Sequence, residues 1–111
     1  MLHHLSFGVR DVALSGAFYD AALGALGFRR VFEAEKAIGY GLLDGEDLIY
    51  LRQRPDAAAP GPGFHLAFAA PSRAAVDAFH ARGMGAGGND NGAPGLRARY
   101  GPSYYAAFLI D

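Results

Sequence analysis

The stretch "HLSFGVRD", residues 4–11, decides how this chain folds, because the chain contains it twice. "HLAFAAPS", residues 65–72, repeats it: His4 matches His65, Leu5 matches Leu66, and Phe7 matches Phe68. Small residues stand between them in both copies, Ser6 and Gly8 against Ala67 and Ala69. Asp11 matches Ser72. Both residue types favour a helix N-cap, where a side-chain oxygen accepts from unpaired backbone N–H groups. Phe18 and Phe79 then fall at the same place in the segments that follow. An internal duplication accounts for the matched strands, caps and helices together.

Periodicity extends the reading outward. Leu5, Phe7 and Val9 alternate with His4, Ser6 and Gly8, the period of a strand. Asp11 opens a helix expected to bury Leu14, Ala17, Phe18 and Ala21, with Gly27 as its terminator. Three more strands are expected over 28–34, 37–43 and 47–53, the last two joined by the tight turn "DGED" at 44–47. Residues 55–63, rich in proline, glycine and alanine, read as a linker. A strand over 64–70 follows. Ser72 then caps a helix with Ala75, Val76 and Phe79 inward, ending near Gly83, with His80 in its last turn. The glycine-rich segment 84–102 is expected to hold short strands near 86–89 and 96–99, and 103–110 reads as a strand. The expected fold is α+β: two βαβββ modules, about 1–54 and 64–111, the second lacking its last strand.

Composition limits what such a domain can do. A chain of 111 residues, 51% hydrophobic and 19% charged, is one ordinary globular domain. A formal net charge of −1 offers no basic surface for nucleic acid or for an anionic membrane. The chain has no cysteine, so disulfides, thiolate metal sites and a cysteine nucleophile are excluded. A cytoplasmic protein is expected. The 16 glycines follow no period, and no phosphate-binding GxxxxGK[ST] occurs among them.

Strand parity points to a site. Leu5, Phe7 and Val9 in one module, and Phe64, Leu66 and Phe68 in the other, are expected to pack on helices. His4, Ser6 and Gly8, and likewise His65, Ala67 and Ala69, then face the opposite way. A histidine followed by small residues leaves room, as the wall of a cavity does.

The ordered set of His4, Val9-Arg10-Asp11, Phe18-Tyr19, Gly27-Phe28, the "FHLAF" containing His65 and the ending "YYAAFLID" resembles the vicinal oxygen chelate superfamily. That superfamily comprises glyoxalase I, bleomycin-resistance proteins, fosfomycin-resistance proteins and extradiol dioxygenases. The resemblance covers essentially the whole chain. It implies two βαβββ modules curled into a half-open β-barrel around a divalent metal ion (Zn, Fe, Mn or Ni). The implied ligands are His4 and His65, completed by a carboxylate. Two neutral imidazoles and one carboxylate suit such an ion and leave positions open for a substrate that chelates through adjacent oxygens. The resemblance also implies a homodimer.

The chain departs from that pattern in its acids. "DLIYLRQ", the fourth strand of the first module, has Asp47 at its edge and no acid within it. The third ligand is expected beyond Asp111, on a strand that the sequence does not reach. Tyr40, Tyr50, Arg52, Arg97 and Tyr104 are the candidate substrate-binding residues. Two functions are expected from this reading. One is a metal-dependent lyase, isomerase or dioxygenase acting on a small molecule. The other is a ligand-binding protein without metal or other cofactor, of bleomycin-resistance type, which holds a planar molecule between aromatic walls.

Overall fold

The computed structural model describes residues 2–42 and 46–111, so the "DGED" turn and the end of the strand expected over 37–43 lie partly outside the described residues. The fold is α+β. Its first elements run β1 (Leu5–Val9), α1 (Val12–Gly24), β2 (Arg29–Ala34), β3 (Ala37–Gly41) and β4 (Ile49–Gln53). This is the βαβββ order expected from the sequence. The chain divides into two compact units, Met1–Gly16 with Phe28–Ala69, and Ala17–Gly27 with Ala70–Asp111. The division therefore falls within α1 and just before the second helix, while the linker stays with the first unit.

In the first unit the four strands form a mixed sheet ordered β1-β4-β3-β2. β1 runs parallel to β4, while β3 runs antiparallel to both β4 and β2. The two residues of a cross-strand pair share a sheet face. One face of this sheet carries Leu5, Phe7, Val9, Ile38, Tyr40, Ile49 and Leu51. Leu51 is 0% and Tyr40 1% exposed. Burying a side chain of this size is worth about 1.5–3 kcal/mol. The Tyr40 hydroxyl donates to Gly16 O at 3.1 Å, so its one polar group is satisfied on the first half of α1. Gly16 is needed there, because a Cβ would come within 2.7 Å of Ile38 Cδ1.

The helix caps are as expected. Asp11 Oδ1 accepts from Ala13 N and Leu14 N, both at 3.0 Å. Ser72 Oγ accepts from Ala75 N at 3.1 Å. Gly27, at φ +92°, turns the chain out of α1 in the left-handed conformation that glycine adopts most easily. The buried stripe of α1 differs from the expected one. Val12, Tyr19, Ala22 and Leu23 are buried with Phe18, while Leu14 is 74% exposed. α1 is apolar nearly all round, so its sequence carries little information about which face turns inward.

The second unit contains α2 (Arg73–Gly85), β5 (Asn89–Asp90), β6 (Gly95–Leu96), a 3₁₀ turn at Ala98–Tyr100, β7 (Tyr105–Ala106) and β8 (Leu109–Ile110). β5 pairs antiparallel with β8, and β6 with β7. The strand expected over 103–110 is thus two short ladders. α2 runs past Gly83 to Gly85, which places His80 in mid-helix instead of its last turn. Ala75, His80 and Gly83 are the buried residues of that helix; Val76 and Phe79 are half-buried.

The strand expected over 64–70 is absent: these residues carry no strand pairing, and Phe64 is 60% exposed. A strand needs a hydrogen-bonded neighbour. β1 has β4, and among the described residues 64–70 have no counterpart of β4. Phe68 is held by packing instead, its ring edge-on to Phe28 at 6.0 Å.

Candidate functional site

The second face of the four-stranded sheet is the candidate site. Ser6, Tyr50, Gly39 and Phe32 line up in one row across β1, β4, β3 and β2. Gly8, Arg52, Ala37 and Ala34 form the next row. His4 precedes β1 with the same parity as Ser6 and Gly8. The small residues expected on this side are present, and two large rings rise from among them. Phe32 and Tyr50 lie 5.8 Å apart with their planes 33° from parallel.

Two features bring the rings together. The β2–β3 register shifts between Arg30 and Phe32. The extra residue, Val31, sets Phe32 opposite Gly39; an unbroken ladder would set it opposite Ile38 on the core face. Gly39 then lets Asp47 and Phe32 pack close to the sheet. A Cβ there would lie 2.9 Å from Asp47 Cβ and 3.2 Å from Phe32 Cβ, closer than carbon atoms normally pack. Asp47, half-buried, therefore sits over Gly39 beside the rings. Phe32 and Asp47 are additions to the residues expected from sequence. Nothing local in "RRVFEA" announces a bulge, so the face that Phe32 occupies is visible only in the ladder.

The sequence candidates separate in the structure. Tyr50 and Arg52 share this face, and Arg52 is exposed. Tyr40 belongs to the opposite, buried face, with its hydroxyl committed to Gly16. Arg97 and Tyr104 lie in the second unit. There the Arg97 guanidinium donates to Ala93 O at 2.6 Å and stacks 5.5 Å from the Phe108 ring centre, clamping its own loop. Tyr104 packs on Tyr100 with ring centres 5.3 Å apart.

His4 and His65 are both exposed. His4 Nδ1 lies 2.9 Å from His3 Nδ1, and His65 has a partner of its own. Among the described residues no group of three or more histidine, aspartate or glutamate side chains gathers so as to hold a metal ion. Two imidazoles without a carboxylate fall short of the donor set that the resemblance implies. The described residues do not by themselves fit a resident metal ion.

The motif residues shape the scaffold. Val9 is core, Arg10 Nε donates to the linker carbonyl of Ala57 at 2.7 Å, and Asp11 caps α1. Phe18 lies against Gly88, and the Tyr19 hydroxyl donates to the Asp111 carboxylate at 2.5 Å. The model of the Glyoxalase/Bleomycin resistance protein/Dioxygenase superfamily matches residues 1–108. The chain belongs to that superfamily.

This superfamily member is similar to a solved glyoxalase/bleomycin resistance protein from Albidiferax ferrireducens T118. The two share 33% identity and a TM-score of 0.82, over 98% of this chain and 88% of that one. Two more distant structures share the fold. A family enzyme from Burkholderia phytofirmans PsJN has 22% identity and a TM-score of 0.72, over 99% of this chain and 89% of that one. A glyoxalase-related enzyme from Fulvimarina pelagi has 18% and 0.73, over 100% and 80%. No curated protein matches the chain. Among the described residues no helix is long and apolar enough to cross a membrane.

Proposed function

We propose that this protein binds a planar small molecule on the open face of its four-stranded sheet, with Tyr50 and Phe32 as the contact surface. One observation carries the reading: two large aromatic rings meet on the sheet face opposite Leu51 and Tyr40, and one of them is exposed. Aromatic faces gain about 0.5–1.5 kcal/mol from stacking beyond the area they bury. Phe32 is 45% exposed and Tyr50 half-buried, so ring surface is open to a flat ligand. Binding of this kind rests on stacking and needs no ion. The half-open barrel, the homodimer and a cytoplasmic location belong to the same proposal. Light scattering distinguishes dimer from monomer.

The test is calorimetric titration with 2-naphthol, a neutral planar probe. Wild type binds, and Tyr50→Ala weakens binding several-fold while the far-UV spectrum is unchanged. Equal binding by the variant removes the site.

The metal-dependent enzyme remains a second reading, supported by His4, which has the parity of the open face, and by its repeat at His65. Metal content of the purified protein tests it. Wild type would carry one divalent ion per site, and the double variant His4→Ala/His65→Ala would carry none. Equal retention in both would exclude these ligands.

A further inference from the structure

We infer that the open face selects planar ligands bearing an anionic oxygen group, such as an aromatic carboxylate, and that Arg52 is the residue that recognises it. The inference rests on the planar-ligand reading above and adds the charge. Arg52 is two residues beyond Tyr50 on β4, hence on the same face and about 6.6–6.8 Å along the strand. That separation matches the length of a fused two-ring body with a substituent at one end.

The surroundings of Arg52 leave its charge available. Its cross-strand neighbours are Gly8 and Ala37; Ala57 and the stem of Arg54 lie over Gly8, and Arg52 stays exposed. Among the described residues its guanidinium has no hydrogen bond or ion pair, and it is exposed. Arg54, the next arginine, is occupied: its Nε lies 3.2 Å from Asp56 Oδ1. A guanidinium presents parallel N–H donors that match the two oxygens of a carboxylate, and a charged pair of hydrogen bonds is stronger than a neutral one.

Asp47 gives the site a direction. It sits over Gly39 beside the rings, in the row before Arg52. Its negative charge repels an anion placed at that end and favours one placed at Arg52. A flat ligand lying on Tyr50 and Phe32 is thereby oriented with its acidic end toward Arg52.

The experiment compares two probes of equal shape, 2-naphthoate and 2-naphthamide, by titration of wild type and Arg52→Gln at neutral pH. Wild type is expected to prefer the carboxylate by about tenfold, the equivalent of one charge-assisted hydrogen bond of about 1.4 kcal/mol. Arg52→Gln is expected to bind both probes equally, at the affinity wild type has for the amide. Equal binding of both probes by wild type overturns the charge inference and leaves the planar site standing. A carboxylate preference that survives in Arg52→Gln also overturns it. Failure of wild type to bind either probe overturns the planar-ligand reading and this inference with it. Arg52→Gln removes no packing partner, so a folding defect does not confuse the result.

Discussion

Asp90 uses one carboxylate oxygen for two partners. Oδ1 accepts from Gly92 N at 2.9 Å and lies 2.9 Å from His80 Nε2 on α2. The Gly92 N–H, and after it His80, hold the Asp90 carboxyl below its ordinary range, because both favour the ionised form. A depressed carboxylate stabilises the fold above the unfolded-chain value of about 3.9, and that contribution is lost as pH falls through and below it. Thermal melting of wild type and Asp90→Asn between about pH 6 and 3 checks this. The gap in favour of wild type is expected to be present at pH 6 and to close toward pH 3; a gap independent of pH would contradict it. Contacts of this kind were not legible in the sequence. Asp11 and Ser72 were legible, because an N-cap is a local event completed within three residues. His80 finds Asp90 ten residues away, across the end of α2, and no local pattern encodes that pairing.

Elements were legible where period and punctuation agree, and misread where either is weak. β1 to β4 came from alternation, with ends trimmed by a residue or two. The inward face of α1 was misplaced because the helix is apolar nearly all round. The open face was legible in Ser6, Gly8 and Tyr50, but Phe32 reaches it through a bulge that only the ladder reveals. Two glycines of the second unit make a further prediction at this scale. A Cβ on Gly88 would strike the Phe18 ring and come within 2.9 Å of Gly83 O. Overpacking of that kind costs about 1–3 kcal/mol. Gly85, at the end of α2, has open space around its Cβ position. Chemical denaturation is expected to find Gly88→Ala destabilised by about that amount and Gly85→Ala unchanged or slightly stabilised. Equal effects at both positions would contradict the packing of Phe18 on this turn.

At the scale of the whole molecule, the repeat seen in "HLSFGVRD" and "HLAFAAPS" leads to the superfamily, while the two copies become different structures. The first copy is a strand because β4 pairs with it; the second has no such neighbour among the described residues and is held by Phe28 and by its own cap. Val9, Asp11 and Phe18 serve the scaffold, and the proposed ligand site rests on residues outside them: Phe32, Gly39, Asp47, Tyr50 and Arg52. The most direct test is to follow backbone amide resonances of the isotope-labelled protein during titration with 2-naphthol. The largest shifts are expected to cluster on one sheet face, at Ser6, Phe32, Gly39, Tyr50 and Arg52, and to vanish in Tyr50→Ala. Shifts that gather around Tyr100 and Tyr104, or that leave the four-stranded sheet untouched at saturation, would contradict it.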